Sequence, residues 1–174
     1  MRLAATPSQT VGPFFSIGMH TVDVASEPGG GERLTIQGRV LDGDGNGVND
    51  AVIETWQADS AGRYADRSSR GWGRAVTDSS GRFGFSTTKP GRLAGVGDVV
   101  HAPHIAVTIF ARGLLRHLVT RIYFPDEPSN ASDYILGSVP DERRATLIAR
   151  AAGPNSFEWN VILQGKGETV FFEC

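Results

Sequence analysis

The sequence predicts an all-β protein, a single-domain β-sandwich of mixed short strands with one late helix and long loops. Three observations support this fold class. Apolar residues alternate with polar residues in several short segments, which is the pattern of half-buried strands. Turns rich in Asp, Gly and Ser separate these segments at regular intervals. The length of 174 residues suits one domain with one core.

The first predicted strands begin after residue 32. Residues 33–41 alternate, a dense turn signal follows at residues 42–47, and residues 51–57 resume the alternation. We therefore expect the first two strands to form a hairpin with a long loop. Phe83 and Phe85 follow another polar turn and fall on one face of a further strand.

The second half of the chain predicts another hairpin and two short closing strands. Residues 104–111 and 118–124 alternate on either side of a turn at Arg112-Gly113. Residues 157–163 and 168–172 are the closing strands, with a Gly-Lys-Gly turn between them.

One helix is predicted, over residues 140–152. It has acidic residues in its first turn, an arginine near its end, and Gly153-Pro154 as a stop signal. The weakly patterned parts are an N-terminal arm at residues 1–31 and loops at residues 68–72 and 89–100. No internal repeat or linker divides the chain.

Composition narrows the possible classes of protein. Together with the length, it predicts that residues 1–174 form one domain. The 17 Lys and Arg residues and 19 Asp and Glu residues give a net charge of −2, with no long basic run, so no nucleic-acid or membrane partner is expected. The single cysteine, Cys174, excludes a disulfide within the chain and a thiolate zinc site. The first residues show no convincing cleavage signal, so we expect a cytoplasmic protein.

Two possible metal sites fail on spacing. Asp42, Asp44 and Asn46 match the start of a calcium loop, but its twelfth position is Ile53 instead of a bidentate Glu. His101 and His104 are three residues apart, so on one strand they would point to opposite faces. The chain therefore offers no complete active site by chemistry alone. Four aromatic residues are expected in the core: Trp56, Phe83, Phe85 and Trp159.

Seven stretches, taken in order, nevertheless resemble one family over nearly the whole chain. They are residues 6–13, 54–59 followed by 62–64, 73–78, 88–91, 103–105, 110–113 and 120–124. In this order they resemble the intradiol ring-cleaving dioxygenases, some of which pair an alpha subunit with a homologous beta subunit. The resemblance implies the β-sandwich fold and cleavage of a catechol ring by O2.

The resemblance also implies Fe(III), which the beta type of subunit binds through two tyrosines and two histidines. Hard Fe(III) suits phenolate and imidazole ligands. At the corresponding positions this chain has Leu93 for a tyrosine, Ala106 for a histidine, and no tyrosine in residues 66–72. Only His104 remains, and we expect it to be a structural histidine. The chain is thus predicted to bind no metal, and the iron to lie in a partner beta subunit.

This loss of ligands resembles the alpha type of subunit. The resemblance implies that Thr10, Gly12, Pro13 and Arg112 line the active site of the partner beta subunit, and that the arm packs on that partner. The substrate would be a small catechol carboxylate, cleaved with O2. Arg112 could attract and orient its carboxylate.

Three alternatives stay open at this point. The stretch from Thr10 to Pro13 could be a docking arm only. The chain could be a non-enzymatic β-sandwich that binds a ligand or another protein, because fold does not determine function. A self-sufficient enzyme with another metal is the third alternative.

Overall fold

The structure is a computed structural model that describes residues 5–12, 14–24, 31–64, 71–95, 97 and 99–173. Within these residues the strands are β1 (Arg33–Leu41), β2 (Val52–Trp56), β3 (Trp72–Val76), β4 (Arg82–Thr88), β5 (Leu93–Ala94), β6 (Val100–His101), β7 (His104–Phe110), β8 (Leu118–Tyr123), β9 (Arg150–Gly153), β10 (Ser156–Glu158) and β11 (Val161–Ile162). The α-helices are α1 (Tyr134–Ser138) and α2 (Asp141–Arg144), with 3-10 turns at Pro128–Ser132 and Ala145–Leu147. No helix in these ranges is long and apolar enough to cross a membrane.

Two sheets carry most of the strands. In the first, β1 pairs antiparallel with β4 on one side and parallel with β10 and β11 on the other, and β9 extends the sheet beyond β10. The second is antiparallel throughout, in the order β3-β2-β7-β8. Residues of both sheets share one buried cluster, which includes Ile36, Val40, Phe85 and Trp159 from the first and Ile53, Ile105, Ile109 and Ile122 from the second. The predicted all-β sandwich is confirmed.

The β7–β8 hairpin forms where the alternation of residues predicts it. Ile105, Val107 and Ile109 point into the core and are at most 1% exposed, while the residues between them lie on the outer face of the sheet. The turn falls at Arg112-Gly113 as predicted. Gly113 has φ +87°, a left-handed conformation that favours glycine. This hairpin carries the candidate site.

The predicted hairpin of the first two strands is wrong, because β1 and β2 belong to different sheets. The turn after β1 folds back on the end of the same strand: the N–H of Asp42 donates to the carbonyl of Asn46, and that of Val48 to the carbonyl of Val40. Strand β1 already has partners along both edges. The chain therefore crosses to the second sheet before β2 begins.

Two predictions near the C-terminus are also wrong. Residues 140–152 do not form one helix; they form α2, a 3-10 turn and the start of β9. The N–H of Ala149 donates to the carbonyl of Tyr123 at 2.9 Å, which draws the chain into an extended conformation beside β8. Residues 168–172 form no strand; they contact β8 through a bridge between Phe172 and Val119 and through the hydroxyl of Thr120, which donates to the carbonyl of Val170.

The aromatic residues predicted in the core divide into two groups. Phe83, Phe85 and Trp159 are buried as predicted. Trp56 is not: its side chain is 37% exposed and stacks on Tyr64 with ring centroids 6.0 Å apart. Alternate residues of β2 face opposite surfaces of the sheet, and Trp56 falls on the outer one.

Candidate functional site

Arg112 lies at the tip of the β7–β8 hairpin, where it pairs with Asp50. Val52 lies opposite Phe110 in the pairing of β2 with β7, so the same register, continued by two residues, brings Asp50 opposite Arg112. The Nε of Arg112 donates to Oδ2 of Asp50. The side chain of Arg112 is 52% exposed and that of Asp50 is 12% exposed. The ion pair therefore holds a guanidinium group that still faces outward.

Thr10, from the N-terminal arm, binds the same turn. Its Oγ1 accepts a hydrogen bond from the backbone N–H of Gly113 at 2.8 Å. The arm is otherwise exposed at this point, so this contact attaches it to the hairpin. The structure thus brings together Thr10 and Arg112, two of the four site residues predicted from the sequence.

Gly12 lies just beyond this contact, where the arm begins a turn. The N–H of Phe15 donates to the carbonyl of Gly12 at 3.1 Å. A Cβ on Gly12 would meet no other atom within 4 Å, so the space beside it is open. Pro13, the fourth predicted site residue, lies outside the described residues.

A groove of about 840 Å³ runs beside the hairpin. The arm, the hairpin and the segment before the C-terminus form its walls, which include Ser8, Val11, Leu115, His117 and Phe171. The side chain of Leu115 is 64% exposed. Arm and hairpin therefore present one continuous surface of apolar and polar groups.

Asp50 is the site residue that sequence reasoning misses. It belongs to no motif and lies between the predicted turn at residues 42–47 and the predicted strand at residues 51–57. The available signal is strand register: once β2 is paired with β7, Asp50 must lie opposite the hairpin turn. That register depends on the pairing of strands, and the alternation of residues within one strand does not predict its partner.

His104, the remaining iron-ligand position, is buried at the start of β7. Its ring centroid is 6.0 Å from that of His101, so the prediction that the two rings point to opposite faces is wrong. His101 ends β6, and the chain turns at Ala102 and Pro103 before β7 begins. The Nδ1 of His104 lies 2.8 Å from the carbonyl oxygen of Ala102.

Burial is the main reason why the ring of His104 stays neutral. Burial lowers the pKa of His104 to about 4, and the nearby positive charge of Arg121 acts in the same direction. The neutral ring therefore donates its Nδ1–H to Ala102. Burial of the neighbouring Asp133 acts to raise its pKa, but two backbone N–H groups and the hydroxyl of Tyr123 donate to it and keep that pKa below its ordinary value.

These residues do not fit an iron ion. Leu93 and Ala106 offer only hydrocarbon side chains, so at these three positions His104 is left as a single possible ligand, and iron needs several. In the described ranges, no group of three or more His, Cys, Asp or Glu side chains could hold a metal ion. The other tyrosine position corresponds to the loop at residues 66–72. Residues 66–70 of this loop lie outside the described residues.

Comparison with known proteins gives the family. The profile of the family described as Dioxygenase matches residues 16–165. This chain belongs to the intradiol dioxygenase family. One relative, the protocatechuate 3,4-dioxygenase alpha chain of Burkholderia cepacia, is 42% identical, and the match covers 98% of each chain. The resemblance stated from the ordered motifs is confirmed.

Two further comparisons also cover most of the chain. The protocatechuate 3,4-dioxygenase beta chain of Burkholderia cepacia is 34% identical over 158 residues, covering 80% of this chain and 67% of that one. A solved structure, the dioxygenase domain of a dioxygenase carbohydrate-binding protein fusion from Streptomyces sp. SirexAA-E, matches with a TM-score of 0.68 and 27% identity. That match covers 96% of this chain and 100% of the other.

Proposed function

We propose that this chain is the alpha subunit of an alpha–beta protocatechuate 3,4-dioxygenase, an oxidoreductase of the beta-ketoadipate pathway. The complex would cleave 3,4-dihydroxybenzoate with O2 to 3-carboxy-cis,cis-muconate, and both oxygen atoms of O2 would enter the product. One observation carries the proposal. Leu93 and Ala106 stand at implied iron-ligand positions, while the chain matches an alpha chain over 98% of its length.

The two subunits would have different roles in the reaction. The non-haem Fe(III) would belong to the homologous beta subunit, because the residues of this chain do not fit it, and the chemistry of ring cleavage would take place there. This chain would form part of the wall of that active site, through Thr10, Gly12, Pro13 and Arg112. Its contributions are shape, exclusion of water and orientation of the substrate.

Arg112 is suited to orient a catechol carboxylate. Its Nε is bonded to Asp50, and its two terminal amino groups have no hydrogen-bond partner among the described residues. The planar guanidinium can therefore present two N–H donors to two carboxylate oxygens. Thr10 supports the same wall, because its bond to Gly113 keeps the arm against the turn that carries Arg112.

The arm, residues 1–31, would pack on the beta subunit. In its described part, Phe14 is 74% exposed and Ile17 is 73% exposed. Burying such side chains against a partner is favourable, because it removes apolar surface from water.

Co-expression with the presumed beta subunit tests the proposal. We expect the chain to purify with its partner as an iron-containing complex that cleaves protocatechuate. Purified alone, the chain should bind no iron and cleave no ring. Iron near one ion per chain in a preparation of this chain alone would contradict the proposal. A non-enzymatic module would instead purify without a homologous, iron-containing partner.

A further inference from the structure

We infer that Asp50 is a positioning residue for Arg112 and that, through it, Asp50 increases the affinity of the complex for the carboxylate of its substrate. This inference rests on the proposed function. Asp50 lies opposite Arg112 in the register of β2 and β7, and its Oδ2 accepts from the Nε of Arg112. Asp50 itself is largely covered, with a side chain 12% exposed.

Asp50 is attached to a rigid part of the sandwich. The next residue, Ala51, is fully buried, and both of its backbone polar groups are bonded to Thr77. The N–H of Ala51 donates to Oγ1 of Thr77 at 2.9 Å, and the carbonyl of Ala51 accepts from the N–H of Thr77 at 3.0 Å. The carboxylate of Asp50 is therefore an acceptor at a fixed place.

Arg112 needs such an acceptor, because it lies in an exposed turn and has a long, flexible side chain. Without Asp50 the guanidinium would sample many rotamers, and binding a ligand would have to restrict them. The ion pair uses Nε alone, so the edge formed by the two terminal amino groups stays available on a side chain that is 52% exposed. That edge has the geometry that a carboxylate binds in a bidentate manner.

Because Asp50 is negatively charged, the direction in which its removal changes the KM distinguishes an effect of charge from an effect of position. If only charge mattered, removing Asp50 would strengthen attraction of the substrate carboxylate and lower the KM. If position matters, removing Asp50 raises the KM. The two effects predict opposite changes for the same substitution.

The test uses the alpha–beta complex with Asp50→Ala, Arg112→Ala, Arg112→Lys and the double alanine variant. We expect each of them to raise the KM for protocatechuate by more than about threefold with a smaller change in kcat, and the double variant to match Arg112→Ala. The inhibition constant of unsubstituted catechol, which lacks the carboxylate, should not change. Glu158→Ala, which removes the ion pair with exposed Arg150, is the matched control and should leave the KM unchanged.

Each other outcome is decisive. An unchanged KM for Arg112→Ala would reject the role of Arg112 in the proposed function. A raised KM for Arg112→Ala with an unchanged or lowered KM for Asp50→Ala would reject only the positioning role. If Asp50→Ala raises the KM as much in the Arg112→Ala background as in the wild type, Asp50 is a structural residue. The same conclusion follows if Asp50→Ala changes the inhibition constant of catechol. If the Asp50→Ala complex does not assemble, Arg112→Lys decides, because a wild-type KM there would mean that charge alone suffices.

Discussion

The side chain of Thr10 accepts a hydrogen bond from the backbone of Gly113, at 2.8 Å, and so joins the N-terminal arm to the hairpin turn. Gly113 has φ +87°, and the ion pair of Arg112 with Asp50 lies at the same turn. The arm and the hairpin therefore form one unit. A substitution that weakens the attachment of the arm should therefore also make the hairpin turn less rigid.

Replacing Thr10 tests this link. Thr10→Val has almost the same shape but no acceptor, so it should cost about 1 kcal/mol of local stability at the arm. We expect faster hydrogen–deuterium exchange at the amide of Gly113 and a higher KM for protocatechuate in the complex. Thr10→Ser keeps the acceptor and is the matched control. Unchanged exchange in Thr10→Val would show that the hydrogen bond does not hold the arm.

The exposed apolar residues of the arm give a second prediction. Phe14→Ser with Ile17→Ser should weaken binding to the beta subunit by at least about tenfold, because each side chain buries apolar area worth about 1.5–3 kcal/mol. The dissociation constant, measured by dilution and light scattering, checks this. Tyr134→Ser is the control, since Tyr134 is 69% exposed on α1. Equal affinity in the arm variant and the control would place the interface elsewhere.

The alternation of apolar residues predicts where each strand lies better than it predicts which strands pair with each other. It correctly places β1, β2, β4, β7 and β8, because each has one face in the core. It fails on the pairing of β1 with β2, which depends on how the turn after β1 closes. It also fails on the helix at residues 140–152, where a bond between Ala149 and Tyr123 overrides local helical preference.

The same limit applies to the candidate site. Thr10, Gly12, Pro13 and Arg112 can be proposed as site residues from the sequence because ordered motifs resemble a family. Asp50 is found only in three dimensions, because its role depends on the register between two strands that are distant in sequence. A side chain in no motif can therefore still hold a motif residue in place.

Gly38 gives a prediction about the first sheet. A Cβ on Gly38 would overlap the carbonyl oxygen of Trp159 and lie 2.7 Å from its carbonyl carbon. Because that neighbour is backbone, Gly38→Ala should destabilise the chain by about 3 kcal/mol or more. Gly84→Ala, in the adjacent strand β4, is the control, since its nearest neighbour would be 3.6 Å away. Urea unfolding measures both, and similar stabilities would contradict the close approach at Gly38.

His104 gives a prediction about acid stability. Its pKa in the folded chain is about 4, below the ordinary value of about 6.5. Protonation therefore favours the unfolded chain, and the free energy of unfolding should fall as the pH drops from about 6.5 toward 4, by up to about 3 kcal/mol. The pKa of Asp133 lies below its ordinary value of 3.8, so the stability that Asp133 contributes is lost only in more acidic solution.

Chemical denaturation of the full chain at a series of pH values isolates this effect. In His104→Asn the amide can still donate to the carbonyl of Ala102, but the side chain cannot be protonated in this range, so the slope of unfolding free energy between pH 6.5 and 4.5 should largely disappear. His20→Gln removes an exposed histidine and should keep the wild-type slope. If His104→Asn keeps that slope as well, the neutral, buried His104 is not the group that makes the fold sensitive to acid.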